Sequence, residues 1–223
     1  MTPLLERDIY LFDLDNTLYQ PKEQLIEQII VRMRDSVAKQ MQVSKQHAYD
    51  LCEEYYRLYG GTLRGIQLHH PELDLNSISF EAHHVDLQNV QQQPALQQAL
   101  RDNSKTRYVF TNSPRPYAER VLQHLGLSNY FNGIFSVEQT DYQMKPDPFA
   151  FERICNHFSF QPQQAVMFDD QPSNLATAKE MGMRTVLVNR NDLDEHSACY
   201  RTEQLPNFID ALNSTATPSS KKT

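Results

Sequence analysis

The stretch LFDLDNTLY, Leu11–Tyr19, decides the fold. Its apolar first half, together with Asp8, Ile9 and Tyr10, reads as a strand buried on both faces. Its second half sets two carboxylates, Asp13 and Asp15, where that strand is finishing. In extended chain, residues two apart lean to one side. TRYVFTNS (Thr106–Ser113) and QAVMFDD (Gln164–Asp170) repeat the pattern of an apolar run with a polar tip. GIFSV is a further short strand, and RTVLV is the last buried one. Helical segments alternate with these strands: Pro114–Leu125 closed by Gly126, Pro146–Phe158, and Pro172–Met181 closed by Gly182. Such alternation predicts a parallel sheet covered on both faces.

Between the first two strands lies sequence of another kind. Apolar residues at Leu25, Ile26, Ile29, Ile30, Met33, Val37 and Met41 make a helical stripe, with Pro21 suited to the first turn. A second stripe runs from Ser44, the expected N-cap, to Tyr59, with Gly60 and Gly61 as the stop. Weaker helical patterns follow near Thr62–His70 and Ser77–Gln88, and then the polar connector QNVQQQP. The expected organisation is an α/β core over residues 1–19 and 95–212, an all-helical insertion over 20–94, and a disordered tail over 213–223.

Composition excludes several function classes. With 39% hydrophobic residues, 11 Phe and 11 Tyr, the 223-residue chain has the material for a proper core. A net charge of −7 without a basic run argues against a nucleic-acid polymer as partner. No apolar stretch approaches a membrane span, and the N-terminus lacks a signal-peptide pattern. Cys52, Cys155 and Cys199 share no metal-type spacing and read as packing residues of a cytoplasmic protein. Adjacent residues on a helix point apart, so His69-His70 and His83-His84 do not read as metal sites.

In open parallel sheets ligands bind beyond the carboxyl ends of the strands. Asp13, Asp15, Asp169 and Asp170 all sit at such ends. Each has a plainer reading: Asp-Asn as a turn, Asp169-Asp170 as a helix start, Thr111–Ser113 as caps, Lys145 as a solvated lysine. Their joint occurrence, in order, at successive strand ends outweighs these. Two unit charges ~4 Å apart repel by about 4 kcal/mol at an effective dielectric near 20. Several such pairs rival the stability of a domain. Mg²⁺, a hard ion that binds carboxylates alongside phosphate, relieves that repulsion.

Together, FDLDNT, FTNS, Lys145 in MKPDP, and VMFDDQPSNLATAKEMGM resemble the four motifs of the haloacid dehalogenase-like superfamily, and the helical insertion falls where that superfamily carries its type-1 cap. The resemblance, spanning about Ile9 to Val188, implies a Rossmann-like sheet with a helical cap after the first strand. It implies that Asp13 is a nucleophile forming an aspartyl-phosphate, and that Asp15 protonates the leaving oxygen and then activates water. Thr111 and the Asn112 backbone would hold phosphoryl oxygens, and Lys145 would offset charge. Mg²⁺ would sit on Asp13, the Asp15 carbonyl and Asp169, with Asp170 and Asn174 in support. An acid at Asp15 favours ester hydrolysis over dehalogenation, because a halide leaves without a proton. YYRLYGGTLRGIQLHH followed by VDL is similar to the cap of the pyrimidine 5′-nucleotidase group, which implies UMP and CMP as substrates; Arg64 in this stretch reads either as a contact to phosphate or the pyrimidine edge or as a solvated helix arginine. Tyr55, Tyr56 and Tyr59 either stack a base or form core. Alternatives are a phosphatase or phosphomutase for another small metabolite such as a sugar phosphate, and a non-turnover phospho-accepting switch. The expected assembly is a monomer or homodimer.

Overall fold

The computed structural model describes residues 2–20, 24–189 and 198–216. Strands β1 (Ile9–Phe12), β2 (Thr106–Phe110), β3 (Gly133–Phe135), β4 (Ala165–Asp169), β5 (Arg184–Val188) and β6 (Tyr200–Thr202) form one sheet in the order β3-β2-β1-β4-β5-β6, every pairing parallel. β1 is central, with Phe12 opposite Val109 on one side and Phe168 on the other.

Side chains divide between the two faces with the strand period of two. Tyr10, Phe12, Val109, Val166, Phe168, Val186 and Val188 enter one core. Leu11, Phe110, Met167 and Leu187, the intervening residues, enter the other. The first core is covered by α6 (Pro94–Arg101), α7 (Arg115–Leu125) and α10 (Leu205–Ala216), with Leu4 of the short α1 (Thr2–Leu5). The second is covered by α8 (Pro148–Phe158) and α9 (Pro172–Glu180). Phe12 and Phe168 stack at 4.5 Å across the β1–β4 pair.

The insertion after β1 is helical: α2 (Leu25–Met41), α3 (Lys45–Tyr59), α4 (Thr62–His69) and α5 (Leu75–His83). α2 packs on α5 and α3, and α3 packs on α4, around a third core of Met33, Val37, Cys52, Tyr55, Ile66 and Ile78. Leu25 and Ile29, at the root of α2, belong instead to the first sheet core. Ser44 caps α3 by accepting from the His47 amide, and Gly60 ends it with φ 74°. Gly65 lets α4 lie against α3, since a Cβ there would collide with the Tyr55 ring.

Several expectations need correction. RTVLV is the last buried strand, but a further, half-buried strand, β6, pairs outside it. QNVQQQP is not only a connector: its Pro94 opens α6. α5 starts at Leu75, where the Asp74 side chain accepts from the Ser77 amide, and stops at His83 rather than Gln88. α10 runs to Ala216, into the segment expected to be a disordered tail; residues 217–223 lie outside the described ones, as does Pro21.

Candidate active site

The polar tips of β1, β2 and β4 meet at one end of the sheet. Asp13 follows β1 directly and is placed by its amide, which donates to the Phe168 carbonyl of β4. Asp169 ends β4 with no exposure, and Asp170 follows it. These three offer carboxylate oxygens within 4.8 Å of one another, the one such acidic, histidine or cysteine group among the described residues.

Lys145 enters this cluster from the loop before α8. Its Nζ donates to Asp13 Oδ1 at 2.9 Å, to Asp169 Oδ2 at 2.9 Å and to the Phe110 carbonyl at 2.7 Å. It is only 2% exposed, so the solvated reading fails. Asn112 fixes its backbone on both sides: Asn112 Nδ2 donates to the Lys145 carbonyl and Asn112 Oδ1 accepts from the Lys145 amide, each at 2.9 Å. Burial alone would lower the ammonium pKa, but the Asp13 and Asp169 carboxylates outweigh it and raise it.

The carboxylates show the opposite strain. Burial pushes Asp13 well above the ordinary range against the pull of Lys145, and Asp169, Asp170 and Asp15 push it further. Burial and then Asp169 raise Asp170 to about 7, opposed by the Gln171 side chain and Lys145. Fully ionised, three carboxylates against one ammonium leave two negative charges, which a divalent cation matches. The donor set is all oxygen, which suits a hard ion. Asp169 is well occupied already: Oδ1 accepts from the Gln171 amide and Asn174, and Oδ2 from Lys145 and Asn174. Asp170 accepts from the Gln171 side chain on Oδ2.

The Asp15 carboxylate lies outside the group of three acids, yet its charge reaches both Asp13 and Asp170. The strand stops at Phe12, and the chain turns through Asn16 at φ 61°. Asp15 then meets a different set of groups. Its Oδ1 accepts from Tyr19 at 2.6 Å and Tyr117 at 2.8 Å, and its Oδ2 accepts from Ser113 at 2.6 Å. Burial, followed by the charge of Asp15, raises both phenols and keeps them as donors. Asn189, just past β5, closes the turn from the other side, its Nδ2 donating to the Asn16 carbonyl at 2.6 Å.

Thr111 is buried, and its hydroxyl accepts from the Ser113 amide at 3.0 Å. Pro114, the N-cap of α7, receives no side-chain cap, so Thr111–Ser113 do not serve as one. Arg64 is engaged elsewhere: Nη1 donates to Gln67 at 2.6 Å and to the Asp141 carbonyl at 3.1 Å, and lies 3.7 Å from the Asp141 carboxylate. Tyr55 is core and bonds His70, whereas Tyr56 is 67% exposed, so the three cap tyrosines do not gather as one stack. His83 is buried, donates from Nδ1 to the Ser79 carbonyl, and sets its ring 5.3 Å from that of Tyr117. Between α5 and α7 a cavity of about 380 Å³ is lined by Phe80, His83, Pro116, Tyr117, Glu138 and Tyr142, among others.

Sequence reading missed Ser113 as a partner of Asp15, and Tyr19, Tyr117 and Asn189 altogether. The one signal within reach was the tyrosine four residues beyond Asp15 in LDNTLY, on the same turn.

A parallel sheet with its acids at the carboxyl ends, a buried lysine among them and a helical insertion after the central strand make up one architecture. The chain belongs to the haloacid dehalogenase-like hydrolase family, which it matches over residues 8–182. Phosphate metabolism protein 8 of Saccharomyces cerevisiae is 27% identical over 198 residues, covering 81% of this chain and 61% of that protein. Fructose-1-phosphate phosphatase YqaB of Escherichia coli is 34% identical over 80 residues, 36% of this chain and 42% of that protein. The chain thus spans less than two thirds of the length of these curated relatives. Among solved structures, a HAD phosphatase from Thermococcus onnurineus superposes with a TM-score of 0.63 at 24% identity, covering 92% of this chain and 97% of that one. The magnesium-bound HAD hydrolase YfnB of Bacillus subtilis gives 0.60 at 15%, covering 93% and 99%. Both are likenesses of fold.

Proposed function

We propose that the chain is a Mg²⁺-dependent phosphatase that hydrolyses small phosphate monoesters through an aspartyl-phosphate on Asp13. The observation that carries the reading is the buried cluster of Asp13, Asp169 and Asp170 around Lys145, with Asp15 held beside it. The resemblance puts Asp169 on the ion and Asp170 in support; because Asp169 already accepts from Lys145, Asn174 and the Gln171 amide, we exchange the two, so that Asp13 and Asp170, with the Asp15 carbonyl, would hold the ion while Asp169 anchors Lys145 and Asn174. When bound, Mg²⁺ supplies the positive charge that lets a phosphoryl dianion approach these acids.

Asp13 attacks phosphorus. Lys145 stays protonated and offsets charge gathering on Asp13 and the phosphoryl oxygens. The Thr111 hydroxyl and the Asn112 amide orient those oxygens. Asp15 gives a proton to the departing alcohol and then takes one from the attacking water. The helical insertion, α2 to α5, acts as a cap that excludes bulk water and receives the alcohol part of the ester.

Within this reading the preferred esters are pyrimidine nucleoside monophosphates, supported by the similarity of YYRLYGGTLRGIQLHH to that cap group. A sugar phosphate is the second reading. It is favoured by the name of the Escherichia coli relative and by the engagement of Arg64 with Gln67 and Asp141. Steady release of nitrophenol from p-nitrophenyl phosphate with Mg²⁺ supports a turnover enzyme; a single stoichiometric burst would instead mark a switch. A panel of nucleotides and sugar phosphates, scored by kcat/KM, then decides the substrate. UMP and CMP ahead of AMP and GMP is expected, and a purine-biased or flat profile would discard the nucleotidase assignment while leaving the phosphatase standing.

A further inference from the structure

Proton transfer in the phosphatase reading falls to Asp15, and a carboxylate turns easily about its last torsion, which is broad and roughly two-fold. A proton donor that is free to turn spends little time aimed at the bond that breaks. Three hydroxyls remove that freedom here. They arrive from separate parts of the chain: Tyr19 from the turn after β1, Ser113 from the loop after β2, and Tyr117 from the first turn of α7. Tyr19 and Tyr117 are each 2% exposed, and their hydroxyl oxygens lie 3.5 Å apart. Both phenols bond Oδ1, which is thereby filled. Oδ2 accepts from Ser113 and keeps a second lone pair.

We propose that Tyr19 and Tyr117 are positioning residues that lock the plane of the Asp15 carboxylate, leaving Oδ2 as the oxygen that exchanges the proton. The inference rests on the phosphatase reading and goes beyond it by assigning the groups that aim the acid. In the first half-reaction the bond between phosphorus and the alcohol oxygen breaks. Its electron pair goes to that oxygen, and the proton on Oδ2 follows. Asp15 is left ionised, with the three hydroxyls still donating to it. In the second half-reaction Oδ2 takes a proton from the water whose oxygen attacks the phosphoryl group on Asp13, which releases inorganic phosphate and restores the Asp13 carboxylate. The His83 ring, on α5, lies against that of Tyr117 and ties the aim of the acid to the seating of the helical insertion.

Substituted phenyl phosphates test this, because ring substituents change the basicity of the leaving oxygen while leaving the shape of the ester nearly constant. An aimed acid makes the wild-type rate only weakly dependent on that basicity. Tyr117→Phe and Tyr19→Phe keep the ring and delete only the hydroxyl. They are expected to change kcat/KM for p-nitrophenyl phosphate little and to lower that for unsubstituted phenyl phosphate by about tenfold or more, part of the 10²–10⁴ that general acid catalysis contributes. Asp15→Asn sets the limiting slope. A uniform fall across the series, or no change, in the tyrosine variants beside a steep Asp15→Asn would overturn the inference and leave the phosphatase reading intact. An Asp15→Asn slope equal to wild type would overturn the proton role of Asp15 itself, and the inference with it. Should Tyr117→Phe not fold, Tyr19→Phe alone carries the test.

Discussion

At the scale of single residues, the carboxylates are legible in sequence because their cost is. Charges at the end of a buried strand demand an explanation, and FDLDN, FDD and KPDP each announce one. Asp13→Asn tests the role assigned to the first of them. The amide retains the shape of the site, and Lys145 keeps Asp169 and the Phe110 carbonyl as partners. Turnover should therefore vanish while the far-ultraviolet spectrum and melting behaviour stay close to wild type; retained turnover would remove Asp13 as the nucleophile. The hydroxyls around Asp15 were not legible. A tyrosine or serine in sequence carries no sign of where its oxygen ends, and Tyr117 meets Asp15 only because α7 packs on the sheet beside it.

At the scale of elements, strongly periodic or strongly bounded segments were readable and short ones were not. α3 was marked by Ser44 and by Gly60, and both caps are present. β6 is a strand of three half-buried residues, too short to show alternation. α6 hides its apolar face, Leu96, Ala99 and Leu100, among glutamines. The contact between α3 and α4 depends on one atom that is missing. Gly65→Ala places a methyl group into the Tyr55 ring, and the two helices must part. A loss of about 1–3 kcal/mol is expected, as for overpacking elsewhere. Denaturant unfolding should record it, and hydrogen exchange should show the loosening in 45–69 ahead of the sheet; unchanged stability would mean that α4 yields freely.

At the scale of the whole molecule, a divalent ion held by the acidic cluster would link the site to stability. A ligand that binds the native site and not the unfolded chain stabilises by RT ln(1 + [L]/Kd), about 2.7 kcal/mol at a hundredfold excess over Kd. Mg²⁺ should therefore raise the melting temperature, EDTA should reverse the gain together with activity, and restored Mg²⁺ should return both. Indifference of melting and turnover alike to chelation would contradict the account of the acidic cluster. The architecture itself was open to sequence reading, because five of the six strands carry apolar runs that the alternating helices punctuate. The route that Arg64 takes to Asp141 was not, since it depends on how α4 sits over a loop some 77 positions away.

The central place of β1 has a bearing on biosynthesis. Lys145 meets Asp13 across 132 positions of chain, and Ser113 meets Asp15 across 98. Pairings this remote close late and slowly compared with local ones. A nascent polypeptide cannot gather its three buried acids until β4 and Asp170 have cleared the ribosome and slotted in beside β1, so the helical insertion, translated much earlier, must wait over an unfinished floor.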